Sequence, residues 1–359
     1  MSLGDLDALV QAVQTNCHIA DASHAADLSL CTYLLQMREF YRWEQGLAFA
    51  QEPRREAVGE WIAQRERDWS DIENQAWLPL PMGAQEFDAY DVAGVNAILA
   101  PFALVYGAGL AAPRQPTFFL ATLHERQLRD DGLTLQVCGS EHARGLFAPP
   151  AALVGGSTIV LRREALARWL WERFEAFSLR RAEGPMKALV ETYALREPGD
   201  FAAALPRLVD DLCESLVLHE IGEHRAGLWL EPGWALMRMA LDQRRTDLRV
   251  RAVRDHIADL EVTLPALLAG DQAAPLHFWF ANYEGSRAQL FPSLADAYAA
   301  WRGGDSGRAL LDAAQHGAAH FRDLATQILA LHRREGRFAT AAIERLLAAQ
   351  ESVCCFRIG

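Results

Sequence analysis

The residues best suited to do chemistry in this chain lie in the stretch LVLHEIGEHRAG, at positions 216–227. His219, Glu220, Glu223 and His224 fall within two helical turns, directly after an apolar run. Imidazole and carboxylate groups are common ligands of divalent metal ions, and both act as general acids or bases. The stretch therefore predicts a site that binds a metal ion, with side chains beside it that can transfer protons.

A helix over residues 207–226, beginning directly after a proline, would carry these four side chains. At about 100° per residue, His219 and Glu223 fall inside the apolar stripe of this helix, and Glu220 and His224 flank it. Apolar residues cover the other directions in the second half of the helix, so we expect the ionisable groups to be buried. An unpaired charge in an apolar interior costs several kcal/mol or more, so these groups must be neutralised.

Two arrangements would neutralise them. One is pairing within the helix, His219 with Glu223 and Glu220 with His224, each four residues apart. The other is a bound divalent metal ion, which His and Glu at this spacing can share. The two histidines are five residues apart, so the HExxH and HxxEH motifs of metalloproteases are absent, as is the ferritin-type Glu-x-x-His.

A second helix is predicted over residues 247–270, and it carries two aspartates that face away from its apolar stripe. Asp255 and Asp259 are four residues apart, so both carboxylates can reach one point. If this helix faces the first one, the aspartates complete a set of metal ligands with His219 and Glu223. The alternative is an acidic, solvent-facing row that is balanced by nearby arginines.

Our first hypothesis is an enzyme with a divalent metal ion, zinc or iron, held between the two helices by His219, Glu223, Asp255 and Asp259. Glu220 or His224 would then serve as the general base or would orient a ligand. Hydrolysis by a metal-activated water is the most natural chemistry, and iron-dependent oxidation is the variant. The second hypothesis is a non-catalytic binding or scaffold protein with structurally paired buried His and Glu.

Three other stretches contain residues with metal-binding or pocket chemistry. Residues 16–31, NCHIADASHAADLSLC, match no common zinc spacing, so helix capping and satisfied core groups explain them better. Residues 276–292, LHFWFANYEGSRAQLFP, predict either a pocket wall with polar groups or an aromatic core loop. His316 and His320, four residues apart, are more typical of a structural or solvent-facing pair.

Composition limits the class of protein. The 359 residues carry a net charge of −12, which argues against a nucleic-acid-binding surface. The six cysteines form no CxxC pair, and the N-terminus lacks a basic signal region, so we expect a cytoplasmic protein with reduced thiols. Residues 92–113 are uncharged, but their prolines and glycines predict a buried irregular segment and no membrane partner. A small-molecule substrate of unknown identity and a homo-oligomer are both compatible with this composition.

The pattern of the whole chain predicts a mainly α (α+β) fold, a single large domain over 1–359. A small antiparallel sheet of about three strands is inserted at 115–163, with strands at 116–128, 133–139 and 157–163. A helical part over 164–359 carries the candidate site. No GxGxxG, Walker A or GxSxG motif occurs, so dinucleotide-binding, P-loop and α/β-hydrolase functions lack their signatures.

Three segments together resemble an uncharacterised bacterial protein family: NCHIADASHAADLSLCTYLLQMREFYRWEQG, HEIGEH and HFWFANYEGSRAQLFP. The resemblance runs along most of the chain and implies a bacterial cytosolic protein. It implies no reaction, cofactor or catalytic residue.

Overall fold

The computed structural model describes residues 3–111, 115–129, 132–146, 149–270 and 272–353. The N-terminal part forms four helices and the strands of two sheets: α1 Leu3–His24, α2 Leu30–Glu44, α3 Arg55–Ser70, β1 Leu80–Met82, β2 Gln85–Phe87, α4 Val92–Leu99, β3 Leu104–Ala111, β4 Gln115–Leu128, β5 Thr134–Arg144, β6 Ala151–Val154 and β7 Thr158–Arg162. From there on the described chain is helical: α5 Arg163–Arg180, α6 Pro185–Thr192, α7 Pro198–Leu230, α8 Gly233–Ala240, α9 Arg244–Ala258, α10 Leu264–Ala269, α11 Ala274–Ala281, α12 Gly285–Leu290, α13 Ser293–Arg302, α14 Arg308–Glu335 and α15 Thr340–Val353.

The larger sheet has five strands in the order β3-β4-β5-β7-β6, and β1 with β2 forms a separate hairpin. β5 and β7 are parallel and the other neighbouring strands are antiparallel. The predicted mainly helical fold is confirmed, but the prediction of a purely antiparallel sheet of about three strands was wrong. The sequence pattern did not predict β3, because its glycines are unusual in the interior of a strand. Gly107 pairs with Phe119 of β4, and a Cβ on Gly107 would lie 2.0 Å from the Phe119 ring.

The uncharged segment at 92–113, for which an irregular conformation is predicted, is mostly regular over its described residues, 92–111. It forms α4, a short 3-10 turn over Ala100–Phe102 and then β3. Val95, Leu99 and Tyr106 from this segment are buried in the core between the sheet and α1. None of the helices in the described part of the chain combines the length and apolar character needed to cross a bilayer.

Helix α7 is 33 residues long and is the central element of the C-terminal part. The predicted start after Pro206 was wrong, because the helix begins at Pro198 and Pro206 lies inside it. Glu197 and Asp200 form a capping box at the true start, where each side chain bonds to the backbone of the other residue. This cap and a proline at the first helical position mark a helix start better than Pro206 does.

One face of α7 packs on the sheet and the opposite face packs on α9. Val217 and Ile221 enter a core cluster with the sheet residues Leu135, Ile159 and Leu161. Burying apolar side chains of this size stabilises the fold by about 1.5–3 kcal/mol each. The helix is therefore held rigidly between two layers, which fixes the direction of the polar side chains that it carries.

The second predicted helix is interrupted at the site. α9 ends at Ala258, and a π turn over Asp259–Thr263 joins it to α10. The backbone N–H of Leu264 bonds to the carbonyl of Asp259, five residues back. Pro265 has no N–H to offer the carbonyl four residues before it, so regular α-helical bonding is lost at this point. Single π turns within helices occur frequently at functional sites.

Candidate functional site

The site forms where α7 crosses the end of α9 and the π turn that follows. Gly222 allows this close approach, since a Cβ at this position would lie 2.5 Å from the carbonyl oxygen of Ala258. His219 and Glu223, which flank Gly222 on α7, are thereby brought against Asp255 and Asp259. The HEIGEH stretch thus provides the polar side chains of the site. It also contains the glycine, Gly222, whose lack of a side chain lets α9 approach them.

Asp259 is completely buried and is the anchor of the site. Its Oδ1 lies 2.9 Å from Nδ1 of His219 and accepts a hydrogen bond from the Trp279 indole N–H at 3.2 Å. Its Oδ2 accepts from the Arg287 guanidinium at 2.8 Å. Arg287 in turn lies over the Trp279 ring, 4.9 Å from the ring centroid. The carboxylate is fully bonded, and it fixes the orientation of the His219 ring.

Asp259, His219 and Arg287 stabilise one another's charged forms. Burial alone would raise the pKa of Asp259, but Arg287 and His219 outweigh burial and hold that pKa well below its usual range. Burial alone would lower the pKa of His219, but Asp259 beside it raises that pKa to about 10. A buried aspartate that stays ionised therefore faces the imidazole and favours a positive charge on it.

His219, Glu223 and Asp255 each offer a ligand atom, and the three atoms lie within 4.8 Å of one another. Burial, followed by the charge of the neighbouring Asp255, raises the pKa of Glu223 to about 7. The pKa of Asp255 is also raised, with burial as the main cause. Two carboxylates held this close in a poorly solvated place repel each other, so a cation between them would be stabilised.

One oxygen of Glu223 is paired and the other is not. Oε2 lies 2.7 Å from Nε of Arg254, an arginine that also bonds to Glu231. Oε1 is buried and has no hydrogen-bond partner among the described residues. A buried oxygen of this kind costs about 1–3 kcal/mol when nothing satisfies it. The unpaired oxygen marks a position where a ligand is expected.

The six predicted site residues do not all lie in one cluster. It brings together His219, Glu223 and Asp255, and it places Asp259 behind His219, bonded to the ring nitrogen Nδ1. Burial raises the pKa of the Glu220 carboxyl, and His219 and the backbone N–H of Leu153 in β6 partly oppose that rise.

His224 lies away from the cluster, because its Nδ1 is 2.9 Å from the carbonyl oxygen of Gly156 in the turn between β6 and β7. The alternative of pairing within the helix is not what the structure shows. His219 bonds to Asp259 in the π turn after α9, and His224 bonds to the backbone of Gly156.

Sequence reasoning did not assign Trp279, Arg287 and Arg254 to the site. Trp279 and Arg287 belong to the aromatic stretch 276–292, for which a pocket wall with polar groups was one of two interpretations. The signal was present in that stretch, an arginine among aromatic residues, but nothing in the spacing connected it to Asp259. Only the packing of α11 and α12 makes that connection.

The weaker candidates are structural. In the 16–31 stretch the Cys17 thiol bonds to a carbonyl oxygen of β4, and the Asp21 carboxylate accepts from a backbone N–H after β5. Burial, followed by the charge of Arg65, lowers the pKa of His18 to about 3, so that histidine is neutral in the core.

His316 on α14 is exposed, and its ring bonds to a backbone carbonyl one turn earlier in the same helix. His320, four residues later, is half-buried and its ring packs edge-on against Phe321. These contacts are typical of a structural pair on a helix surface.

The fold and the site define a mainly helical protein in which a five-stranded mixed sheet supports a half-buried histidine–carboxylate cluster. The chain belongs to the family of unknown function DUF6866, whose N-terminal domain matches residues 8–162 and whose C-terminal domain matches residues 167–350. The predicted resemblance to a family with no assigned activity is confirmed. The junction between the two matches falls where β7 ends and α5 begins, and a single large domain stays a prediction. No curated protein and no solved structure matches the chain significantly.

Proposed function

We propose that the cluster binds a divalent metal ion and that the protein is a metal-dependent hydrolase. The observation that carries this proposal is the convergence of three ligand atoms, one each from His219, Glu223 and Asp255, within 4.8 Å of one another. Ligand atoms at about 2.0–2.2 Å from one ion lie roughly 3–4.4 Å apart. A small inward movement of three side chains would therefore bring all of them into contact with a single ion.

The bond between His219 and Asp259 supports a metal role for the histidine. Histidines that bind metals almost always have their other ring nitrogen bonded to a carboxylate or a carbonyl, which fixes the ring and its tautomer. Because Nδ1 of His219 faces Asp259, Nε2 is the nitrogen that remains to bind an ion. Asp259, predicted as a ligand, is therefore proposed as the residue that orients His219.

Nitrogen and carboxylate ligands in this number suit zinc or iron, with open positions left for water or substrate. A bound ion of this kind supplies a water of lowered pKa as a nucleophile. Glu220 is our proposed general base, because it is adjacent to His219 and half-buried, and its charge acts on both His219 and Glu223. Arg254 would hold the Glu223 carboxylate in place through its contact with Oε2.

The alternative is a non-catalytic binding or scaffold protein, and one observation favours it. The chain from His219 through Asp259 to Arg287, together with the pair of Glu223 with Arg254, already neutralises most of the charge without a metal. Under this alternative the groups are structural. Their loss would lower stability and would change no metal content.

Metal analysis of the purified, untagged protein separates the two functions. We expect about one zinc or iron per chain, lost in His219→Ala and in Glu223→Gln. Glu231→Gln is the matched control, because Glu231 also pairs with Arg254 but is not one of the three cluster residues. Protein that carries no metal and takes up none on titration, or a metal content that survives both variants, contradicts the proposal. Hydrolysis of phosphate, carboxylate and peptide esters by the loaded protein then tests the reaction class.

A further inference from the structure

We propose that the outer edge of β3 binds an extended, uncharged peptide segment of a partner protein, which adds a strand to the five-stranded sheet. β3 is an end strand of that sheet, and a cavity of about 260 Å³ lies beside it. The described residues that line this cavity include none of the cluster residues His219, Glu223 and Asp255. The inference therefore goes beyond the proposed metal site and does not depend on it.

The hydrogen-bond pattern of β3 shows which of its backbone groups face outward. The N–H of Leu123 in β4 donates to the carbonyl of Ala103, just before β3, and the two strands pair in the same register along the whole of β3. In an antiparallel pair, only alternate residues bond to the neighbouring strand. The odd-numbered residues of β3 therefore bond to β4. The even-numbered residues direct their N–H and C=O groups away from the sheet.

One of these outward positions is already filled by an amide group. The side chain of Asn96 in α4 accepts from the N–H of Tyr106 at 2.8 Å and donates to the carbonyl of Tyr106 at 2.8 Å. Its amide has the same donor and acceptor as a peptide group, so Asn96 bonds to this edge as a neighbouring strand would. No described residue bonds to the outward backbone groups of Ala108 and Leu110, the next even-numbered positions. The edge beyond Tyr106 is therefore open to pairing.

β3 also lacks the features that usually keep an edge strand from pairing. Natural edge strands are protected by charged residues, prolines, bulges or a covering helix. The sequence of β3, LVYGAGLA, contains no charged residue and no proline, and its register with β4 is unbroken by a bulge. Leu110 near its end is 65% exposed. The other end strand, β6, differs because Leu153 packs with Val217 and Ile221 of α7.

The cavity provides space for one side chain of a bound segment. Its walls come from β3, β4, β6 and β7 and include Gly109, Phe119, Val154 and Val160. A Cβ on Gly109 would meet nothing within 4 Å, so the space in front of this strand position is open. Glycine inside a strand often marks a place where another backbone or a ligand approaches closely. A segment paired with β3 would direct a large apolar side chain into this space.

The charges of the cavity wall favour an uncharged segment. Arg162 is the charged residue among the described residues of the wall, and its guanidinium lies over the Phe119 ring, 4.5 Å from the centroid. Its Nε donates to the Glu141 carboxylate at 2.6 Å, so its charge is already balanced. Domains that bind extended peptides obtain affinity from main-chain hydrogen bonds along an edge and specificity from a pocket for alternate side chains. The edge of β3 and the adjacent cavity offer both.

The test is fluorescence anisotropy of the full-length protein with a labelled, end-capped peptide, Thr-Val-Thr-Leu-Thr-Val-Thr. We expect saturable binding. The same peptide methylated at its three central nitrogens should bind more weakly, by about twofold to tenfold for each hydrogen bond lost. A peptide with glycine in place of the central leucine should also bind more weakly, because it leaves the cavity empty.

Two variants of the protein test the same edge. Gly109→Leu fills the cavity and should weaken binding about tenfold to hundredfold, the range for overpacking. Gly59→Leu is the matched control, because Gly59 is exposed on α3 and a Cβ there also meets nothing within 4 Å. Ala108→Pro removes an outward N–H that β4 does not use, a position where an edge strand tolerates proline. It should weaken binding about tenfold. Circular dichroism and urea denaturation verify that each variant is folded.

The inference is overturned if the wild-type protein shows no saturable binding or if the methylated peptide binds as tightly as the unmodified one. Equal binding by Gly109→Leu and Gly59→Leu overturns it as well. Light scattering after size exclusion tests the other occupant, a second copy of this chain. A dimer of the wild-type protein that is lost in Ala108→Pro would overturn the assignment to a partner protein.

Discussion

Gly222 of α7 lies directly against the backbone of Ala258 at the end of α9. A Cβ on residue 222 would meet the carbonyl carbon of Ala258 at 2.8 Å and its oxygen at 2.5 Å. Backbone atoms at the middle of a helix crossing cannot move aside as a flexible side chain can. The distance between the two helices, and with it the spacing of His219, Glu223 and Asp255, therefore depends on the absence of a single methyl group.

We expect Gly222→Ala to lower the free energy of unfolding by about 1–3 kcal/mol, the usual cost of overpacking. Alanine improves helix propensity by up to about 1 kcal/mol, so a net loss of stability would show that the steric effect is the larger one. Gly199→Ala is the matched control in the same helix, since a Cβ there meets nothing within 4 Å. Urea denaturation of both variants measures the difference. Equal stability of the two variants would mean that α7 and α9 are not in close contact at Gly222.

Asp259→Asn should weaken metal binding while the three proposed ligands remain in place. The amide keeps the shape of the side chain but loses the charge that Arg287 and His219 face. Loss of a residue that orients a metal-binding histidine typically costs 10–100-fold in affinity, and we expect a decrease of about that size. Metal titration with a competing chelator measures it.

Asp247→Asn provides the control for that experiment. Asp247 is a largely buried aspartate that pairs with Arg238 and Arg251 and is not one of the three cluster residues. Both variants should lose stability, because each removes a negative charge that half-buried guanidinium groups face. Only Asp259→Asn should lose metal affinity. An equal loss of affinity in the two variants would show that Asp259 acts through general stability.

The two helices that carry the candidate site could be predicted from sequence because their signals are local. The apolar stripe around His219 predicted buried polar groups on one helix, and the spacing of Asp255 and Asp259 predicted a second set of carboxylates on another; the structure leaves His219, Glu223 and Asp255 half-buried. The separate role of Asp259 could not be predicted, because it depends on Trp279 and Arg287, which are 20 and 28 residues away along the chain. The spacing of residues in one helix contains no information about which distant side chains pack on it.

The sheet illustrates the same limit. The partial or clean alternation of β4 and β5 predicts strands correctly, whereas the glycines of β3 wrongly predict an irregular buried segment. Its Gly107 makes room for Phe119 of the neighbouring strand, a requirement that appears only once the two strands are paired. The parallel pairing of β5 with β7 is also a property of the assembled sheet, since each strand alone is compatible with either direction.

In the folded protein, the rate of alkylation of each cysteine should follow its exposure to solvent. Cys31 is exposed, whereas Cys17 and Cys138 are buried, and burial raises the pKa of the Cys138 thiol to about 12. Because the thiolate is the reactive form, we expect iodoacetamide at pH 8 to modify Cys31 quickly and the two buried thiols only after unfolding. Peptide mapping by mass spectrometry identifies the modified positions. Rapid labelling of Cys138 in the native protein would mean that the sheet opens far more readily than its packing indicates.

Asp21 should make the protein less stable as the pH rises from about 4 to 7. Burial raises the pKa of its carboxyl from 3.8 to about 7, although two contacts with the Leu146 N–H partly oppose the shift. The folded protein therefore holds a proton that the unfolded chain releases, and ionising the buried group at higher pH costs up to about 4 kcal/mol.

Asn at this position can still accept the backbone hydrogen bond and has no charge to bury. We expect Asp21→Asn to match the wild type near pH 4 and to exceed it in free energy of unfolding at pH 7, with exposed Asp27→Asn as the control. Parallel stability curves for Asp21→Asn and the wild type across this range would show that Asp21 is already ionised in the folded protein at low pH.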